Sequence, residues 1–121
     1  MEIKESRNLS AEGEHFLNSV HELVLKNLGN EQLTVPYLAE QMNISSRMFY
    51  RKFKEVSSLS PTLYIKNLRI ERAAALLAET NMSIGEILFE TGFQSKAYFY
   101  KCFFARYGCT PKSYRAQKRV Y

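Results

Sequence analysis

Arg47, Tyr50, Arg51 and Lys54 recur at the i, i+3, i+4, i+7 spacing that gathers side chains on one face of a helix. An arginine fork matches the O6 and N7 acceptors of guanine, and lysine reaches guanine or a phosphate. A tyrosine ring packs on a thymine methyl, or its hydroxyl donates to a phosphate. Further along, Lys96 or Ala97, Tyr100, Lys101 and Phe104 repeat the spacing. Behind the first set Phe49, Phe53 and Val56 form an apolar face, and behind the second Phe99, Phe103 and Tyr107 do the same. One basic helix face is most often plain solvated surface, but two in the same register carry more weight.

Other chemistries lack their residues. There is no Gly-rich phosphate loop, Gly-x-Ser-x-Gly, His-Glu-x-x-His or Cys-x-x-Cys. His15 and His21 lie six positions apart, a spacing that suits no common metal pair. Glu86 and Glu90 are four apart, but Glu86 completes a Ser-x-x-Glu capping box with Ser83. Cys102 and Cys109 are too few for a disulfide scaffold or a zinc site, so reduced thiols are expected. The expectation is therefore no enzyme, no cofactor and no metal.

The 121 residues, 45% of them hydrophobic, suit one compact domain or two small lobes sharing an element. No window reaches the roughly 18 apolar residues of a membrane span. The opening Met1-Glu2-Ile3-Lys4-Glu5 lacks the basic-then-apolar order of a signal peptide, so a cytoplasmic location is expected. The net charge of +5 hides an asymmetry: residues 1–33 carry three basic and six acidic groups, and residues 34–121 carry fourteen and six. The longer segment is thus net +8, the balance of a chain that meets a polyanion.

Periodicity and punctuation give the elements that must hold the two faces. Residues 1–12 read as a flexible lead. Phe16, Val20, Leu23, Val24 and Leu28 mark a first helix, with Gly29 as its stop. Thr34 opens a short helix over Val35 to Met42, and Asn43-Ile44-Ser45 turns the chain. Ser45 or Ser46 caps a third helix, Arg47 to Val56. Ser60-Pro61 opens a long helix from Thr62 to about Glu79. Ser83 starts a fifth, to about Thr91, followed by the turn Gly92-Phe93-Gln94. Ser95 caps a sixth, Lys96 to Tyr107, which Gly108 stops, and Thr110-Pro111 opens the last, to about Gln117. No segment alternates convincingly, so the fold class is all-α with about seven helices.

The chain also repeats once, at a period of about fifty residues. Thr34, Val35 and Leu38 match Ser83, Ile84 and Ile87, and Asn43-Ile44 matches Gly92-Phe93. After one extra residue in the second turn, Phe49, Tyr50 and Phe53 match Phe99, Tyr100 and Phe103. Ser60-Pro61-x-x-Tyr64 matches Thr110-Pro111-x-x-Tyr114. Short helix, turn and second helix describe a helix-turn-helix, here present twice. The division is a first lobe over 13–60, a linker helix over 61–79 and a second lobe over 80–121.

At this point the chain resembles the AraC/XylS family of bacterial transcription regulators over roughly residues 16–117. The stretch Ser83–Arg115 is similar to that family's second helix-turn-helix signature, and residues 38–77 to its first unit and linker helix. The resemblance implies seven homeodomain-like helices in two lobes, each placing its second helix in the major groove of double-stranded DNA. Implied base readers are Arg47, Tyr50 and Arg51 in the first lobe and Lys96, Ala97, Tyr100 and Lys101 in the second. Phosphate contacts are expected at the helix starts Thr34, Ser45, Ser46, Ser83 and Ser95, and at Lys54, Lys112 and Arg115. Three residues depart from the pattern. Ser58 stands for a glycine, Leu88 for a small residue and Phe104 for a common lysine. The opening resembles C-terminal output domains of long sensors such as hybrid two-component regulators. The alternatives are a stand-alone regulator and a protein-interaction module that touches RNA polymerase through Phe104 or the solvent side of Arg69 and Arg72. The isolated domain is expected to be monomeric, within a parent that could dimerise. The two groove-entering helices are expected about one DNA turn, roughly 34 Å, apart.

Overall fold

A computed structural model describes residues 9–119. Among them are seven helices and no strand: α1 (Ala11–Lys26), α2 (Val35–Gln41), α3 (Ser46–Val56), α4 (Pro61–Glu79), α5 (Ile84–Thr91), α6 (Lys96–Tyr107) and α7 (Pro111–Lys118). Every helix starts on a hydroxyl. The side-chain oxygens of Ser10, Thr34, Ser45, Ser83, Ser95 and Thr110 each accept the backbone N–H three residues on. Ser60 takes the Leu63 N–H in the same way. Each such cap satisfies an orphan donor and is worth about 1 kcal/mol.

Two boundaries differ from the sequence reading. Helix α1 begins at Ala11 behind its Ser10 cap, so the expected flexible lead gives way to ordered chain before residue 12. Residues 1–8 lie outside the described residues. The same helix ends at Lys26 rather than at Gly29, because Asn27 closes it. The Asn27 amide donates to the Leu23 carbonyl at 2.8 Å and accepts from the Tyr37 hydroxyl at 3.1 Å, tying the end of α1 to α2. At α3 the choice between two serines is resolved: Ser45 is the cap and Ser46 the first helical residue.

The chain divides into two compact units within α4, between Lys66 and Asn67. The long helix is therefore shared out rather than standing apart as a linker. In the first unit α1 and α2 pack on α3. Phe16, Val20, Val24, Leu38, Phe49 and Phe53 fill its core, and Tyr64 of α4 is buried with them. The Tyr64 hydroxyl lies 3.0 Å from Nδ1 of His21, which gives that helix histidine a structural partner. In the second unit the rest of α4 supplies Ile70, Ala73, Ala74, Leu76 and Leu77 to a core completed by Ile87, Phe93, Phe99, Cys102 and Phe103. Leu88 sits at the edge of that core, half-buried, which is how the larger side chain is accommodated.

The repeat survives in detail. Phe53 meets Tyr64 edge-on at 5.3 Å and 80°, and Phe103 meets Tyr114 at 5.3 Å and 83°. The Pro-x-x-Tyr turn of each copy thus sets one ring against the second helix of that copy. The turns match too. Asn43 and Gly92 both take left-handed backbone, at φ 60° and 82°. One residue later, Ile44 N–H reaches the Ala39 carbonyl and Phe93 N–H the Leu88 carbonyl, at 3.0 and 3.1 Å. These are helix-ending bonds that require the left-handed residue.

Arg115 has a different place from the phosphate contact expected of it. It is half-buried on α7 and donates to the Leu77 and Met82 carbonyls, at 3.0 and 2.7 Å. Arg119 donates beside it to the carbonyls of Leu77, Ala78 and Thr80 and to Asn81 Oδ1. The last carbonyls of a helix lack intrahelical donors and form the negative end of its dipole. Two guanidinium groups close that end of α4.

Gly92→Ala should lower stability by about 1–2 kcal/mol, the cost of a Cβ in left-handed backbone. Gly85→Ala should raise it by about 0.5–1 kcal/mol: Gly85 lies exposed inside α5, and an added Cβ meets only Ser83 Oγ at 3.9 Å. Urea unfolding midpoints of the two variants should move in opposite directions. Arg115→Ala should cost about 2–3 kcal/mol in the same measurement, with Arg115→Lys restoring little, because a single ammonium does not serve two carbonyls as a fork does.

Candidate nucleic-acid interface

Burial fixes which side of α3 faces out. Phe49, Phe53 and Val56 are 0, 1 and 4% exposed, which locks the helix about its axis. Arg47, Tyr50, Arg51 and Lys54 all stand exposed on the other side. The Arg51 guanidinium donates to Met48 Sδ at 2.8 Å, a soft contact that holds its stem while leaving other N–H groups free. Lys52 belongs to neither face: its Nζ lies 5.9 Å from the Phe16 ring, over the core edge.

Helix α6 is set the same way. Phe99 and Phe103 are fully buried, Tyr107 is half-buried, and Lys96, Ala97, Tyr100, Lys101 and Phe104 are exposed. Lys96 Nζ lies 5.8 Å from the Tyr100 ring, a cation–π contact that steadies both groups. Sequence reasoning missed Tyr98, which is half exposed on this helix. A hydrogen bond to Cys102 pushes the Tyr98 phenol above its ordinary pKa. Position 98 matches Met48 of the first copy, and that correspondence was the available signal. Cys102 itself is buried and Cys109 half-buried, both as free thiols.

The helix starts are not equivalent as anion sites. Neither α3 nor α6 carries an acidic residue in its first turn, so their free N–H groups and positive dipole ends stay open to a phosphate. At α5 the position is taken. The Glu86 carboxylate accepts the Ser83 N–H at 2.8 Å, and a phosphate beside Ser83 would meet that charge. At α2 the Thr34 hydroxyl both accepts from Tyr37 N–H and donates to the Gln32 carbonyl, at 3.4 and 3.3 Å. Lys112 is exposed in the first turn of α7, where no acid stands. Of the other two cations singled out earlier, Arg72 is exposed, while burial lowers the pKa of half-buried Arg69. Among the described residues no helix is long and apolar enough to cross a membrane.

Comparison with known proteins agrees with this geometry. A family model described as a helix-turn-helix domain matches residues 38–117. The chain is 31% identical over 107 residues to histidine kinase P4 of Formosa agariphila, covering 88% of this chain and 8% of that protein's length. An AraC-type transcriptional regulator structure from Chromobacterium violaceum superposes with a TM-score of 0.80 at 29% identity, covering 91% of this chain and 97% of that one. The DNA-binding domain of the global transcription factor AdpA, solved in complex with a target DNA, superposes with a TM-score of 0.75 at 30% identity. That match covers 85% of this chain and 92% of the other. The chain belongs to the helix-turn-helix domain family, in its AraC-type branch.

Proposed function

We infer that the chain binds double-stranded DNA sequence-specifically, as the output domain of a bacterial transcription regulator. Each unit offers one helix to a segment of the major groove, α3 from the first and α6 from the second. The observation that carries this reading is the repeated face: both helices bury two phenylalanines four residues apart and turn a polar or cationic row outward. AdpA, a relative of the same architecture, was solved with its target DNA, which supports the reading.

Base readers in this reading are Arg47, Tyr50 and Arg51 on α3 and Lys96, Ala97, Tyr100 and Lys101 on α6. Phosphate contacts fall to Thr34, Ser45, Ser46, Lys54, Ser95 and Lys112, with Ser83 and Arg115 occupied as described. The work of the chain is binding, not turnover, in the compartment that holds bacterial DNA, the cytoplasm. Similarity spanning most of this chain but a small part of a histidine kinase supports a place within a longer sensor protein. RNA polymerase is a second partner for such a domain, through surface that the groove leaves uncovered.

A competition shift assay tests the reading, using a site selected from random duplexes. Arg51→Ala should weaken the selected site by about 1–3 kcal/mol and blur preference at one or two base pairs. Equal loss on selected and random DNA would reassign Arg51 to a phosphate. Indifference of the unaltered chain to DNA sequence would refute the function.

A further inference from the structure

The two groove-facing helices share one register. Ser45 and Ser95 cap them, and Phe49 and Phe99 are wholly buried at the same depth. The outward positions therefore pair one to one: Arg47 with Ala97, Tyr50 with Tyr100, Arg51 with Lys101, and Lys54 with Phe104. Two of these four positions change from a cation to an apolar side chain. Both apolar residues are exposed, Phe104 at 56%, and Tyr100 beside them is 39% exposed. The first helix thus presents three cations and a ring, the second one cation with a largely apolar row.

Resting on the DNA-binding reading above, we propose that the two helices divide the base chemistry. Helix α3 selects guanine through Arg47 and Arg51. Helix α6 selects thymine by its C5 methyl, through Ala97, Tyr100 and Phe104. The thymine methyl is the apolar feature of the major-groove edge, where the remaining groups are hydrogen-bond donors and acceptors. A phenylalanine offers such donors and acceptors nothing and gains by covering a methyl. Alanine at position 97 lets the helix backbone come close to the bases, whereas the arginine paired with it reaches out to them. The Lys96 ammonium lies 5.8 Å from the Tyr100 ring, which steadies that ring on the outward face.

The proposal is tested on the site selected by the full chain. Each thymine is replaced singly by deoxyuridine, which deletes only the methyl and keeps the pairing. Binding should fall about fourfold for each methyl that α6 covers, the effect of burying one such group. Ala97→Ser, Tyr100→Ala and Phe104→Ala should each reduce that loss at the thymine the altered side chain covers, while Arg47→Ala should retain it. Phe104→Lys should remove methyl sensitivity near its position and steepen the salt dependence by about one phosphate contact. These side chains are exposed, and matched melting curves would show that the variants fold. Specific binding that ignores every deoxyuridine would overturn the proposal and leave the DNA-binding reading standing. So would a methyl effect that no variant at position 97, 100 or 104 alters. Failure to select any site would overturn both.

Discussion

The rotation of two helices about their own axes is the constraint on which everything else depends. In an α-helix each residue turns the side chain by about 100°, so burying two phenylalanines one turn apart decides where every other residue points. Phe49 and Phe53 do this for α3, and Phe99 and Phe103 for α6. The exposed rows need no further device to be aimed outward. A tyrosine ring from the following helix meets the second phenylalanine edge-on in both units, so the lock is built twice by the same parts.

Around that lock the chain spends its polar groups on order. Hydroxyl caps start all seven helices, left-handed residues end the first helix of each pair, and two arginines close the end of α4. These are local contacts of modest individual worth, and their number matters because each unit has a small core. Among the described residues every buried side-chain nitrogen or oxygen finds a partner, including Thr91, whose hydroxyl returns to the Ile87 carbonyl at 2.7 Å. Five of the remaining cations, Arg47, Arg51, Lys54, Lys96 and Lys101, stand exposed on the outward faces of α3 and α6. The residues that build each core and those on the outward faces are thus separate sets, and the faces differ between the two copies while the core pattern repeats.

Much of this was legible in the sequence because its causes are local. Caps, stops and apolar spacing depend on neighbours within a few positions, and they gave the helix pattern and the two outward rows. What escaped depends on residues far apart along the chain. Arg115 looks like any surface cation until α7 is seen against carbonyls more than thirty positions earlier. Asn27 ends α1 early because it also has Tyr37 to bind, and nothing in the helical spacing records that. The start of α5 was expected to be open to phosphate, but the Glu86 carboxylate occupies it. The long helix read as a separate linker because its apolar residues run on without a break. Contacts divide it instead, its first residues joining one core and its remainder the other.

Methylation interference on the selected DNA site tests the central claim most directly. Methylation by dimethyl sulfate marks guanine N7 in the major groove and adenine N3 in the minor groove. If α3 and α6 read base edges, methyl groups at particular guanine N7 positions should block binding, and Arg47→Ala or Arg51→Ala should relieve the block at individual guanines. Interference confined to adenine N3, or none at any base, would contradict the account.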